Sequence, residues 1–304
     1  MVLASDPATK TQLESLWQRR IYHIGHVNTP AFNVGVRDIA DVIKSAWTIA
    51  NLMLDKDINE RPVYTAVAVP VINVKVAEFI VEQLRTALVD IVIGLAHHVG
   101  EDKNKPNCLM MTPSYMDSPS PDYPFSLRLW HEVFQTIGDA QLPTTLAMSV
   151  GIPMRRYKPR NPDQCAQGDS DPSKNLIMAP CKTFQGPQLA DALEVCQSRT
   201  PWEPHLSWDV ATWSEYYLDK SGCWLYTNDG TYSLRYKLCE VKTNYTSLKY
   251  IIAAMDIDYS DPRFYILLWL QSLIRFFQNV YTVPDMTMFC HALDTYPPCL
   301  RYNR

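Results

Sequence analysis

Apolar residues along the chain fall into two alternating rhythms. Continuous β-branched runs at 63–72 (VYTAVAVPVI) and 88–100 (LVDIVIGLAHHVG) read as strands buried on both faces. The segment 21–30 (IYHIGHVNTP) alternates apolar and polar residues and stops at Pro30, which also reads as a strand. The run 145–157 (TLAMSVGIPMRRY) reads as one more. Between them the period changes to that of a helix. From Val36, apolar residues recur at Ile39, Val42, Ile43, Ala46, Trp47 and Ala50, one stripe of a helix. Helices are also expected over 8–18, 76–87, 126–137, 233–244 and 263–280. Residues 101–124 and 158–206, rich in proline and polar residues, read as irregular. A last apolar run, Ile251 to Met255, reads as a buried strand and leads into Asp256 and Asp258, which lie two apart and so share a face.

Buried strand, helix, buried strand, repeated several times, predicts a parallel α/β fold, with a barrel and an open sheet both compatible. Composition narrows the function classes. The 304 residues are 47% hydrophobic and 20% charged, with a net charge of −4 and no long basic run, which argues against a nucleic-acid partner. No run approaches the roughly 18 apolar residues a membrane helix needs. Eight cysteines, none in a CxxC pair, suit disulfides in an oxidising compartment better than a zinc site. One sequon, Asn244-Tyr245-Thr246, points the same way, whereas the first residues carry no secretory signal pattern. Phosphate loops, the Gly-rich dinucleotide fingerprint, the nucleophile elbow and H-E-x-x-H are all absent from the sequence.

The order of several motifs carries a resemblance. They are Tyr64-Thr-Ala-Val-Ala-Val-Pro70, Ser149-Val-Gly-Ile-Pro-Met-Arg-Arg-Tyr157, Ala190-Asp-Ala-Leu-Glu-Val-Cys-Gln197 and Trp208-Asp209. After these come Tyr217, Trp224 with Tyr226, Ser233-Leu234-Arg235-x-Lys237 and Met255-Asp256-Ile257-Asp258. Over about residues 15 to 280 this order resembles glycoside hydrolase family 18, the chitinases and chitinase-like lectins, with arthropod chitinase-like proteins as the suggested kin. The resemblance implies a (β/α)8 TIM-barrel type of fold, an α/β class. It implies one chitinase-like domain over 1–304, with a small inserted α+β segment at 158–206.

It also implies where chemistry would be done. The family's catalytic strand, aligned on Pro30, falls on 21–30. Its proton-donating glutamate then corresponds to Asn28, and the preceding acids to His26, Ile24 and Ile21. The family's Tyr and Asp at the end of its sixth strand correspond to His97 and His98, and its subsite-flooring Trp to Ala253. Family members use a substrate-assisted route with a Glu as general acid. An amide has no such proton to give, and loss of acid–base catalysis alone is worth roughly 10²–10⁴-fold. The resemblance therefore implies a secreted, non-catalytic protein that needs no cofactor. It would bind a chitin-type oligosaccharide or a protein partner through His26, Asn28, His97, His98, Asp256 and Asp258, with His26 and His97 pointing inward.

If 21–30 is the family's fourth strand, only strands four to eight are represented, and the barrel is expected to be incomplete, as a piece of a longer secreted chain would be. Two alternatives stay open. One is an active chitinase-type hydrolase, whose acid would have to be sought among Asp38, Asp41 and Glu60. The other is a metal site built on His23, His26, His97 and His98. Two bland readings accompany these. Asp256 and Asp258 would cap a turn and pair with Arg155 or Arg156. Trp202, Trp208, Trp213 and Trp224 would be core of the insertion and not a sugar-stacking surface.

Overall fold

The computed structural model describes residues 7–21, 23–27, 36–54, 64–98, 108–119, 125–151, 153–166, 176–182, 189–190, 207–245 and 247–255. Within these the chain forms two compact units. The first holds the repeating strand–helix pattern. Its helices are α1 (Pro7–Gln18), α2 (Val36–Leu54), α3 (Lys75–Thr86) and α4 (Leu127–Asp139). Its strands are β1 (Ile24–His26), β2 (Thr65–Pro70), β3 (Ile91–Leu95) and β4 (Thr145–Gly151), joined by β10 (Ile251–Met255). They lie in the order β1-β2-β3-β4-β10, and the β1–β2, β2–β3 and β3–β4 pairs are parallel. This is a half-barrel arrangement of the TIM-barrel type, with the strands in chain order, as the sequence pattern predicts.

Each element follows from its residues. The β-branched runs of β2 and β3 are buried along almost their whole length, as strands covered on both faces must be. Helix α3 buries Val76, Ala77, Ile80 and Leu84, one helical stripe. Helix α4 starts where the Ser126 hydroxyl accepts the Leu129 amide proton at 3.1 Å, an N-cap. It buries Trp130, His131, Val133, Phe134 and Ile137. The amino ends of β2 and β3 are tied by one carboxylate. Asp90 Oδ2 accepts from the Thr65 amide at 2.7 Å and from its hydroxyl at 2.8 Å. Tyr250, just ahead of β10, donates its hydroxyl proton to His131 Nε2 at 2.9 Å, while His131 Nδ1–H donates to the Leu127 carbonyl at 2.7 Å.

The second unit is antiparallel. It contains β5 (Met154–Tyr157), the short helix α5 (Asp163–Ala166), β6 (Leu189–Ala190), β7 (Ser207–Asp209), β8 (Ser214–Asp219), β9 (Trp224–Asn228) and helix α6 (Thr231–Lys242). The sheet order is β6-β5-β9-β8-β7. Two disulfides, Cys108–Cys181 and Cys165–Cys223, cross-link it, and Cys239 is disulfide-bonded as well. This sheet, inserted in the chain between β4 and β10, accounts for the inserted α+β element.

Three expectations need correction. The run 145–157 is two strands in two sheets, broken at Pro153, whose missing N–H cannot serve a ladder. The last strand is not buried. Ile251 is exposed and Ile252 to Met255 are half-buried, because β10 lies at the edge of its sheet. The segment 158–206, read as irregular, contributes the paired strand β6, and Pro159 bridges to Cys181. The helix expected over 263–280 lies outside the described residues, as do Asp256, Asp258, Asn28, Glu60 and Trp202.

Candidate functional site

In the parallel unit the strand order sets what gathers at the carboxyl ends. His97 and His98 follow β3 and are buried, at 2% and 4% exposure. Ser149 near the end of β4 holds both the backbone and the ring there. Its hydroxyl accepts from the Ala96 amide at 2.9 Å and lies 2.7 Å from His97 Nδ1. His97 is thus a fixed, desolvated polar group at the carboxyl end of the sheet. Ile24 is half-buried within β1, and Ala253 is half-buried within β10.

The histidines do not form one cluster. His26 is exposed at the end of β1, the edge strand of its sheet. His23 precedes β1 and lies at the opposite, amino end of the sheet. There its ring is 5.2 Å from that of Tyr64, and its Nδ1 accepts the Tyr64 amide proton at 3.3 Å. A two-residue period on a short strand decides both outcomes: one residue of shift changes the face, three change the end. Among the described residues no group of three His, Cys, Asp or Glu side chains is placed to hold a metal ion. Asp38, a candidate acid, sits exposed in the first turn of α2.

The second unit holds a polar cluster that sequence reasoning quoted only as a motif. Helix α6 carries Ser233 and Lys237, and Asp229 stands just before it, so the three recur every four residues on one side of the helix. Lys237 is fully buried. Its Nζ donates to Asp229 Oδ1 at 2.6 Å, to Ser214 Oγ at 2.7 Å and to the Ser114 carbonyl at 2.9 Å. Asp229 also accepts from Ser214 at 3.0 Å, from Ser233 at 2.8 Å and from Ser114 at 2.5 Å. Burial pushes the Lys237 ammonium below the ordinary lysine value, and the Asp229 carboxylate opposes that push. Burial also lowers Lys242, at the end of the same helix, to about 8.

A Ser beside a Lys invites a nucleophilic reading. The chemistry does not favour it, because a nucleophile's base must be neutral, whereas Asp229 holds this lysine as an ion pair inside the protein. The cluster is a structural tie between the loop at Ser114, strand β8 and helix α6.

Of the tryptophans, Trp208 and Trp213 meet the Tyr236 ring edge-on, with centroids 6.2 and 4.6 Å apart. Trp224 packs beside Tyr217 and Tyr226, a small core of the second sheet.

No family model and no curated sequence matches the chain. Solved structures do match in fold. A class V chitinase from Nicotiana tobaccum is similar at 12% identity over 87% of this chain and 73% of its own, with a TM-score of 0.54. Human YKL-39, described as a pseudo-chitinase with retained chitooligosaccharide binding, is similar at 12% identity over 84% and 69%, also at 0.54. A group IV chitinase from Ostrinia furnacalis is similar at 13% identity over 85% and 69%, at 0.50. A parallel half-barrel sheet interrupted by an antiparallel insertion sheet gives this chain the fold of the family 18 chitinases and chitinase-like proteins.

Proposed function

We propose that this chain is a non-hydrolysing chitinase-type protein that binds a chitin-type oligosaccharide at the carboxyl ends of its parallel sheet. One observation carries the reading. The five strands read Ile-Gly-His, Thr-Ala-Val-Ala-Val-Pro, Ile-Val-Ile-Gly-Leu, Thr-Leu-Ala-Met-Ser-Val-Gly and Ile-Ile-Ala-Ala-Met, with no carboxylate in any of them. Glycoside cleavage needs a carboxylic acid held protonated beside the leaving oxygen. Asn28, two residues beyond β1, is an amide. The imidazoles of His97 and His98 and the hydroxyl of Ser149 supply hydrogen-bonding groups of the kind a hydroxyl-rich ligand uses. His26, Asn28, Asp256 and Asp258, which stand at or just beyond the ends of β1 and β10 in sequence, complete the proposed binding set.

The test is direct. Chitobiose carrying a fluorogenic leaving group is expected to be left intact above the protein-free rate, while chitohexaose binds in calorimetry and the protein is retained on chitin beads. Turnover of the fluorogenic substrate overturns the silent reading. Absence of chitohexaose binding in a folded sample overturns the glycan and leaves a protein as the partner.

Secretion belongs to the same proposal. The disulfides require an oxidising compartment, and Asn244 of the sequon is exposed just after α6. Expressed through a secretory pathway, the chain is expected to carry a glycan that peptide-N-glycosidase removes and that Asn244→Gln abolishes. An unshifted mass from such cells refutes it.

A further inference from the structure

The second unit carries a charged surface that oligosaccharide binding at the parallel sheet does not use. From Arg155 to Arg160 burial alternates strictly: Arg155, Tyr157 and Pro159 are buried, Arg156 and Lys158 half-buried, and Arg160 exposed. A two-residue period in extended chain therefore puts Arg156, Lys158 and Arg160 in a row on one face. Lys182 joins the row from the next segment, where its amide donates to the Lys158 carbonyl at 2.7 Å. Across the sheet, Tyr157 pairs with Leu225, which brings Lys158 level with Trp224. The Arg156 guanidinium lies 5.5 Å and the Lys158 ammonium 5.1 Å from the indole centroid. Cations seated on an aromatic face are held in place without losing their charge.

The platform is rigid. Cys181 bridges to Pro159 across the backbone and is bonded to Cys108, while Cys223, next to Trp224, is bonded to Cys165. Asp219 lies opposite Trp224 across the sheet, and its carboxylate already accepts from the amides of Ser221 at 3.0 Å and Gly222 at 3.1 Å. Among the described residues no carboxylate forms an ion pair with Lys158, Arg160 or Lys182. The whole chain has a net charge of −4, so this row stands against the general sign of the protein.

We propose that the row Arg156, Lys158, Arg160 and Lys182, with Arg156 and Lys158 seated against the Trp224 ring, is a docking surface for an anionic polysaccharide, sulfated or carboxylated. Charge complementarity selects a polyanion. The sheet selects a glycan over an acidic peptide. Strand β5 is paired by β9 from Arg155 to Tyr157 and by β6 at Met154 and Arg155, and Lys158 and Arg160 are hydrogen-bonded to residues 180–182, so an extended peptide meets backbone that is already paired along the row. A polysaccharide needs only the row of cations, two of which the Trp224 ring holds in place.

The test uses heparin as the probe on the full chain. Wild-type protein is expected to bind heparin with an affinity that falls steeply with salt. The triple variant Lys158→Gln, Arg160→Gln, Lys182→Gln is expected to bind about tenfold or more weakly, losing roughly one unit of log–log salt slope per cation removed. Chitohexaose binding stays unchanged in the same variant, which separates this surface from the oligosaccharide site proposed above. Arg160→Glu alone, at an exposed position, moves affinity in the same direction and serves if the triple variant misfolds. Failure of the wild type to bind heparin in low-salt buffer overturns the proposal, as does wild-type affinity in the variants. Equal affinity for polyglutamate overturns the choice of a glycan.

Discussion

Asp229→Ala is expected to remove about 3–5 kcal/mol from the stability of the antiparallel unit, the cost of leaving a buried charge without its partner. Lys237 is fully buried, and its three ammonium protons are taken by Asp229, Ser214 and the Ser114 carbonyl. Without that carboxylate, the ammonium keeps only neutral hydrogen-bond acceptors, with the smaller Coulombic pull of Glu215 and Asp209, and must either stay charged in a dry site or lose its proton. Lys237→Met is expected to cost less, about 1–3 kcal/mol, because Asp229 would keep the hydroxyls of Ser114, Ser214 and Ser233 as donors. Urea unfolding of the two variants, read with hydrogen exchange at the α6 amides, gives the comparison. A loss under about 1 kcal/mol for Asp229→Ala, the size of an exposed pair, would show that water reaches the cluster.

That cluster also marks how far the sequence could be read. The recurrence of Asp229, Ser233 and Lys237 every four residues is visible in the chain, but Ser114 and Ser214 come from 123 and 23 residues before Lys237. Nothing local announces such partners. The parallel unit was legible for the opposite reason. Strands β2 and β3 are covered on both faces and helices α2 and α3 on one, so each declares its burial in its own residues. The antiparallel sheet declares less. Its strands are two to six residues long, carry tyrosine, tryptophan and arginine instead of aliphatic runs, and pair Arg155 with Thr227, 72 positions further on. The histidines give the same lesson on a smaller scale. His23, His26 and His97 are one residue type in similar company, and only the register of β1 against β2 and the hydroxyl of Ser149 separate an amino-end residue, an exposed one and a buried one.

Gly94→Ala is the substitution expected to damage the parallel unit most for its size. Gly94 lies in the middle of the sheet, paired with Val69 on one side and Met148 on the other, so its backbone has no room to retreat. A methyl group there would fall inside the contact radius of the Trp130 indole and the Phe134 ring. Both rings are fully buried and stacked on each other, with centroids 4.3 Å apart, so neither swings aside without opening the core under α4. Overpacking of this kind sits at the upper end of its usual range, about 3 kcal/mol or more. Gly138→Ala is the internal control. There the new methyl would meet the flexible ends of Leu248 at 3.3 Å and Leu146 at 3.6 Å. The helix would gain up to about 1 kcal/mol of propensity, so a change near zero or slightly stabilising is expected. Urea midpoints, with hydrogen exchange at the β2 and β3 amides to locate the loss, read both. An unchanged midpoint for Gly94→Ala would mean that α4 stands further from β3 than the contact of Trp130 with this glycine requires.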